Sequence, residues 1–166
     1  MRVVFYLLWL MLLMVFQPTL ARGIEICGIA PNLFLCFVIM IGFYRGHLEG
    51  AICGAVFGLV YDLLVGRLIG ISSLLYLYAG LGAGILGAQF FSGGKQLAGS
   101  IGVVAATLLT GLLYFLVRKT TGADMGFVTA FFRISLPEAV YNGVVSFLLA
   151  FPMRGTMKML RRWQSY

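Results

Sequence analysis

The chain has 166 residues, of which 61% are apolar and only 10% charged, with a net charge of +7. A soluble domain carries roughly 25% charged residues, so this chain lacks the polar skin that water requires, and a soluble enzyme is excluded. The basic residues sit in short loops and in the tail, with no aromatic-interleaved patch on a soluble domain, so nucleic acid is set aside as a partner. In lipid, apolar side chains face outward at no cost, while every backbone polar group must be satisfied within the chain. The expectation is an all-α integral membrane protein: one polytopic domain over residues 1–166, built as a bundle of six transmembrane helices.

The first apolar run, Val3 to Phe16, is extended by Gln17-Pro18-Thr19-Leu20-Ala21 to Arg22. Its charged start and small residues resemble a signal peptide. The spans that follow give it partners to pack on, so we read an uncleaved first helix, kinked or ended near Pro18. The second run, Ala30 to Tyr44, opens with Pro31 in a position that suits a first helical turn. It is short for a hydrocarbon core of about 30 Å. Arg45-Gly46-His47-Leu48-Glu49 then reads as a tight polar turn. The third, fourth and fifth runs are Gly50 to Val65, Ile71 to Phe91 and Leu97 to Val117. The longest connection follows, Arg118 to about Gly126. Phe127 to Ile134 reads as the start of the last helix or as an interfacial helix, and the last span runs from about Leu136 to Pro152.

Six spans place both termini on one side. With the N-terminus inside, Arg2, Arg45, Lys95, Arg154, Lys158, Arg161 and Arg162 are cytoplasmic, against Arg22, Arg67, Arg118, Lys119 and Arg133 outside. That bias puts both termini in the cytoplasm. In the tail, about residues 154–166, Met153, Met157, Leu160 and Trp163 recur at helical spacing, with Arg154, Lys158, Arg161 and Arg162 largely between them. This is either an amphipathic basic helix on an anionic leaflet or a plain stop-transfer tail.

Glycine is abundant at 22 residues, and its placement carries the information. Gly50, Gly54, Gly58, Asp62, Gly66 and Gly70 recur every four residues along the third span and its exit. Small residues at that spacing let two membrane helices approach closely. The stripe reads as internal packing or as a groove for a partner's helix. Asp62 is the sharpest single residue, because an intramembrane carboxylate costs roughly 3 kcal/mol and must face the bundle or water. It reads as a cap for the Gly66–Gly70 turn or a partner for Arg67, in preference to a proton relay, ion site or catalytic acid. In the last span Ser135, Glu138, Asn142 and Ser146 share one face, with Tyr141 beside it, and read as interhelical glue or a cavity lining. The three cysteines, Cys27, Cys36 and Cys53, lack metal-ligand spacing. No nucleophile elbow, phosphate loop, zinc motif or dinucleotide fingerprint is present, so no catalytic residue, metal or cofactor is expected.

These residues resemble a known family. Pro31-Asn32-Leu33, the block from Gly54 to Gly84 with Gly58, Asp62, Gly66 and Gly70, and the segment from Leu136 to Arg154 are similar to the bacterial rod shape-determining protein family MreD. The resemblance covers about half the chain. It implies a non-catalytic component of the cell-elongation complex in the bacterial inner membrane. Implied partners are the bitopic scaffold MreC and, through it, the filament protein MreB and the peptidoglycan synthase pair of RodA and a class B penicillin-binding protein. Membrane lipids and a second copy of the chain are further candidates. The implied fold resembles the substrate-binding S component of energy-coupling-factor transporters, which leaves a vitamin-type binding or transport subunit as the alternative. The expected functional set is Gly54, Gly58, Asp62, Gly66, Gly70, Glu138, Tyr141 and Asn142 for helix packing or a partner, with Arg154, Lys158, Arg161 and Arg162 at the lipid surface.

Overall fold

The computed structural model describes residues 2–23, 25, 28–65, 69–90, 95–120 and 126–162, with backbone alone at 2, 20–22, 89–90, 95–96, 154 and 156–162. The elements are α1 (Arg2–Gly23), α2 (Leu33–Arg45), α3 (His47–Val65), α4 (Ile71–Phe90), α5 (Lys95–Thr120), α6 (Phe127–Ala130), a π-helical turn (Phe131–Ser135) and α7 (Leu136–Arg162). Among the described residues, four stretches are long and apolar enough to cross a membrane: His47–Val65, Ile71–Ala88, Leu97–Thr120 and Phe127–Met153. Val3–Thr19 and Leu33–Arg45 are shorter apolar helices. The last span thus begins at Phe127, ahead of the Leu136 expected from sequence, and α6 is its first turn and not a separate interfacial helix.

The centre of the bundle is α2. Its sequence is apolar on every side, and a helix of that kind is stable only where all its faces are covered. Every residue from Leu33 to Phe43 is buried. Helices α3 and α4 lie on one flank, and α5 and α7 on the other. Helix α1 packs at the edge, against α2 and α3. An aromatic ladder joins three of them: Trp9 sits 4.8 Å from Phe37, and Phe37 stacks 5.2 Å from Phe57.

Both ends of α2 are fixed by local chemistry. The Asn32 side chain caps the start by accepting from the Leu35 amide at 3.1 Å. Gly46 stops the helix with φ of 102°, a left-handed conformation that suits glycine, and its amide bonds the Gly42 carbonyl at 2.9 Å. The polar turn expected over Arg45 to Glu49 is therefore one residue long. His47 and Glu49 already belong to α3, and Arg45 on α2 pairs with Glu49 through a 2.9 Å Nε–Oε2 contact.

Helix α1 continues through Pro18 to Gly23, so the proline does not end it. In the final span the π-helical turn precedes Pro137. Proline has no amide, and its ring crowds the carbonyl four residues back. The wider π turn accommodates that crowding, and the Leu136 amide reaches back to the Phe131 carbonyl. Helix α7 then passes through Pro152 to Arg162. The side chains of Arg154, Lys158, Arg161 and Arg162 lie outside the described residues, as does the whole of Gly66.

Candidate functional site: a polar floor and a cavity above the central helix

The glycine stripe of α3 meets α4 in a constant antiparallel register. A Cβ on Gly58 would fall 2.5 Å from the Ser72 carbonyl oxygen, and one on Gly54 would fall 2.2 Å from that of Tyr76. One turn further on, a Cβ on Gly50 would fall 2.5 Å from the Gly80 carbonyl, and one on Gly84 would fall 2.3 Å from the His47 Cα. Each four-residue step along α3 is answered by a four-residue step along α4. The groove that the sequence offered to a foreign helix is occupied by the chain's own next helix. Gly42 of α2 joins the same seam, with its Cβ position 2.5 Å from the Gly80 carbonyl.

Asp62 closes that seam. It is fully buried, and its Oδ2 accepts from the Gly70 amide at 2.8 Å and the Ser72 amide at 3.0 Å. The carboxylate thereby satisfies amides at the start of α4 that helix geometry leaves without partners. Gly70 has φ of 99°, so glycine suits the turn that brings its amide to Asp62. The Oδ1 atom is buried with no hydrogen-bond partner among the described residues. Arg67, the other partner considered for Asp62, lies outside them. His47 and Asp62 stand at opposite ends of α3, about 22 Å apart at 1.5 Å per residue.

Asn142 of α7 sits at the head of α2. Its Oδ1 accepts from the Asn32 amide at 2.7 Å, and its Nδ2 donates to Thr107 Oγ1 on α5 at 3.1 Å. Asn32 Nδ2 in turn donates to the Tyr76 hydroxyl on α4. Gln17 of α1 brackets the same point, donating to the Pro31 carbonyl at 3.0 Å and accepting from the Leu33 amide at 2.9 Å. Side chains from α1, α4, α5 and α7 therefore converge on the first turn of α2. An unsatisfied polar group in hydrocarbon costs several kcal/mol, and this network removes most of that cost at a helix end within the bundle. Of the polar face expected on the last span, Asn142 joins the network directly. Ser146 turns to its own helix and donates to the Gly143 carbonyl at 2.8 Å. Tyr141 is half-buried on the neighbouring face.

Above this floor lies a cavity of about 310 Å³. It exists because α2 is short. The thirteen residues of α2 span about 20 Å and the nineteen of α3 about 28 Å. The two helices start level at the Gly46 link, so α2 ends roughly two turns lower. Tyr61, Tyr76 and Tyr114 wall the space, and the π-helical turn contributes Ile134 and Ser135. Glu138 faces it from the first turn of α7, while Arg118 and Lys119 stand at its exposed rim. The sequence marks Asp62, Glu138 and Asn142 as site candidates but not Gln17 or Tyr76, and it marks Asn32 only through the family resemblance. The signal for them was the short second run, which left a helix end to be satisfied inside the bundle.

These features define a multi-pass helical membrane protein whose buried polar groups hold helices to one another. A family model described as rod shape-determining protein MreD matches residues 1–160, and the chain belongs to that family. It is thus a rod shape-determining membrane protein. Neither the curated proteins nor the solved structures contain a match.

Proposed function

We propose that the chain is a non-catalytic scaffold of the bacterial cell-elongation machinery, seated in the inner membrane with both termini in the cytoplasm. In this reading it docks the bitopic scaffold MreC, and through it influences MreB and the synthase pair of RodA and a class B penicillin-binding protein. The observation that carries the proposal is the family match over residues 1–160. The build of the protein supports it. Asp62 is engaged with the start of α4 and Asn142 with the head of α2, so the polar groups with most chemical potential serve rigidity. The partner then meets an outer surface of the bundle and not the glycine seam, which α4 fills.

Depletion of the protein in a rod-shaped host, combined with affinity purification in mild detergent, tests this. Cells are expected to round up, and MreC is expected to accompany the tagged protein. Rods that persist, together with a purified protein free of MreC, would overturn the proposal.

A further inference from the structure

The cavity above α2 is open to its surroundings, and its lining sorts by depth. At the floor, Asn32 and Tyr76 are buried, and their polar atoms are engaged with one another and with the α2 cap. Gln17 is likewise occupied at both ends of its amide. Such a floor suits a ligand that fills the space with apolar or ring surface. It does not suit one that needs many hydrogen bonds at depth.

The rim is different. Arg118 and Lys119 are both exposed and both line the cavity, against one carboxylate among the described residues, Glu138. They close the last turn of a span that runs Leu97–Thr120, which places them at the depth of lipid headgroups. Cations are stabilised at any helix C-terminus, and that alone explains basic residues here. It does not explain why both border the same cavity. The first turn of α2 also points its positive end at the floor. Potential and shape thus favour an anion at the mouth with an apolar part below.

Size narrows the occupant. A volume of about 310 Å³ stands at the lower end of the roughly 300–1,000 Å³ of small-ligand sites. A helix is about 10 Å across and does not fit. We propose that the cavity binds a phosphate-bearing small ligand, its phosphate held by Arg118 and Lys119 and its apolar or ring portion against Tyr61, Tyr76 and Phe115. The phosphate belongs either to a lipid headgroup or to a free soluble phosphate compound.

The test uses the full-length protein in mild detergent, with native mass spectrometry for bound adducts and thermal unfolding for stabilisation. The probes are a phosphatidylglycerol, a phosphatidylcholine and inorganic phosphate. A retained one-to-one phosphatidylglycerol adduct, absent with phosphatidylcholine, assigns the phosphate to a lipid. Stabilisation by inorganic phosphate without a lipid adduct assigns it to a soluble compound. In either case Arg118→Gln with Lys119→Gln should weaken binding at least tenfold. Arg133→Gln removes an exposed cation outside the lining and should change it little. Ile134→Trp, which fills the cavity from its partly exposed wall, should displace the ligand without removing charge. The proposal is overturned if no probe binds, or if Arg133→Gln weakens binding as much as the double variant. It is also overturned if Ile134→Trp, still folded by circular dichroism, leaves binding intact.

Discussion

The two flanks of α2 are built from similarly small residues but held together in different ways. On the α3–α4 side, backbone meets backbone. The Cβ positions of Gly50, Gly54 and Gly58 all point at carbonyl oxygens of the facing helix, at 2.2 to 2.5 Å. On the α5–α7 side, side chains intervene. A Cβ on Gly143 would meet the Val104 Cγ2 at 2.7 Å, and Asn142 reaches Thr107 through a hydrogen bond. The first arrangement has no slack, because a carbonyl cannot move without shifting its helix. The second retains rotamer freedom. The cavity draws more of its wall from α5, the π-helical turn and α7 than from the seam, so the adjustable flank encloses the space and the rigid flank supports it.

The difference between the flanks has its largest expected effect at Gly54. In Gly54→Leu even the first added carbon lands 2.2 Å from the Tyr76 carbonyl oxygen. Overpacking against groups that can yield costs 1–3 kcal/mol. Here nothing can yield, so a loss of about 3 kcal/mol or more is expected, seen as a collapse of folded yield in detergent. Gly82→Leu is the matched control, since among the described residues nothing beyond its chain neighbours and its own turn of helix backbone lies within 4 Å of its Cβ position. Equal yields of the two variants would remove the seam from the account.

Next comes Asp62→Ala, which strips the Gly70 and Ser72 amides of their acceptor. Loss of a helix cap costs 0.5–2 kcal/mol, and a buried position should put the effect near the upper end, about 2 kcal/mol. Asp62→Asn keeps one acceptor oxygen and should recover much of it. Thermal unfolding in detergent should therefore order wild type, Asn and Ala. If Asn proves as damaging as Ala, the charge itself matters and the cap is not the whole role.

Asn142→Leu should cost somewhat less. It removes the acceptor for the Asn32 amide and the donor to Thr107. Interhelical hydrogen bonds in membranes contribute about 0.6 to 1.7 kcal/mol, so a loss of about 1–2 kcal/mol is expected. The same change should loosen the first turn of α2, and hydrogen exchange at Asn32 to Cys36 should rise while that at Gly50 to Gly58 does not. Uniform acceleration along the chain would contradict the independence of the two flanks.

Some of this is legible in the sequence. The four-residue glycine spacing marks the close face of α3, because spacing alone sets which residues share a helix face. It does not mark what lies on that face. The answering positions on α4 include Ser72 and Tyr76, and a tyrosine advertises no close approach. The contact there is made by the Tyr76 carbonyl, which is common to all residues. Asp62 was readable as a cap because it sits one turn from the end of its span. The cavity was not readable, since it is a difference in length between two helices whose common starting level is set by Gly46. Gln17 reads as part of an apolar run and Asn32 as part of the first turn of the second span, and only folding brings them together at one helix end. The continuation of α1 through Pro18 and the π turn before Pro137 likewise depend on neighbours that sequence does not supply.

The smallest expected effect sharpens the contrast between the flanks. Gly143 is buried, as Gly54 is, and both lie mid-helix. Alanine adds the same single carbon at either site and removes the same conformational penalty, since glycine in a helix costs roughly 1 kcal/mol relative to alanine. What differs is the neighbour: at Gly143 the end of a valine side chain at 2.7 Å, at Gly54 a backbone carbonyl at 2.2 Å. A side-chain methyl at 2.7 Å must give by about 0.7 Å to reach ordinary contact, which a turn of χ1 by roughly 30° off its rotamer supplies at a strain of about 1 kcal/mol. Propensity and strain then nearly cancel, and Gly143→Ala should shift stability by less than about 1 kcal/mol in either direction. Gly54→Ala gains the same propensity but must push two helices apart. Thermal unfolding of the two variants side by side should leave the first close to wild type and the second far below it. If both fall together, the α5–α7 flank is as rigid as the seam, and the cavity wall has no freedom to adjust around a ligand.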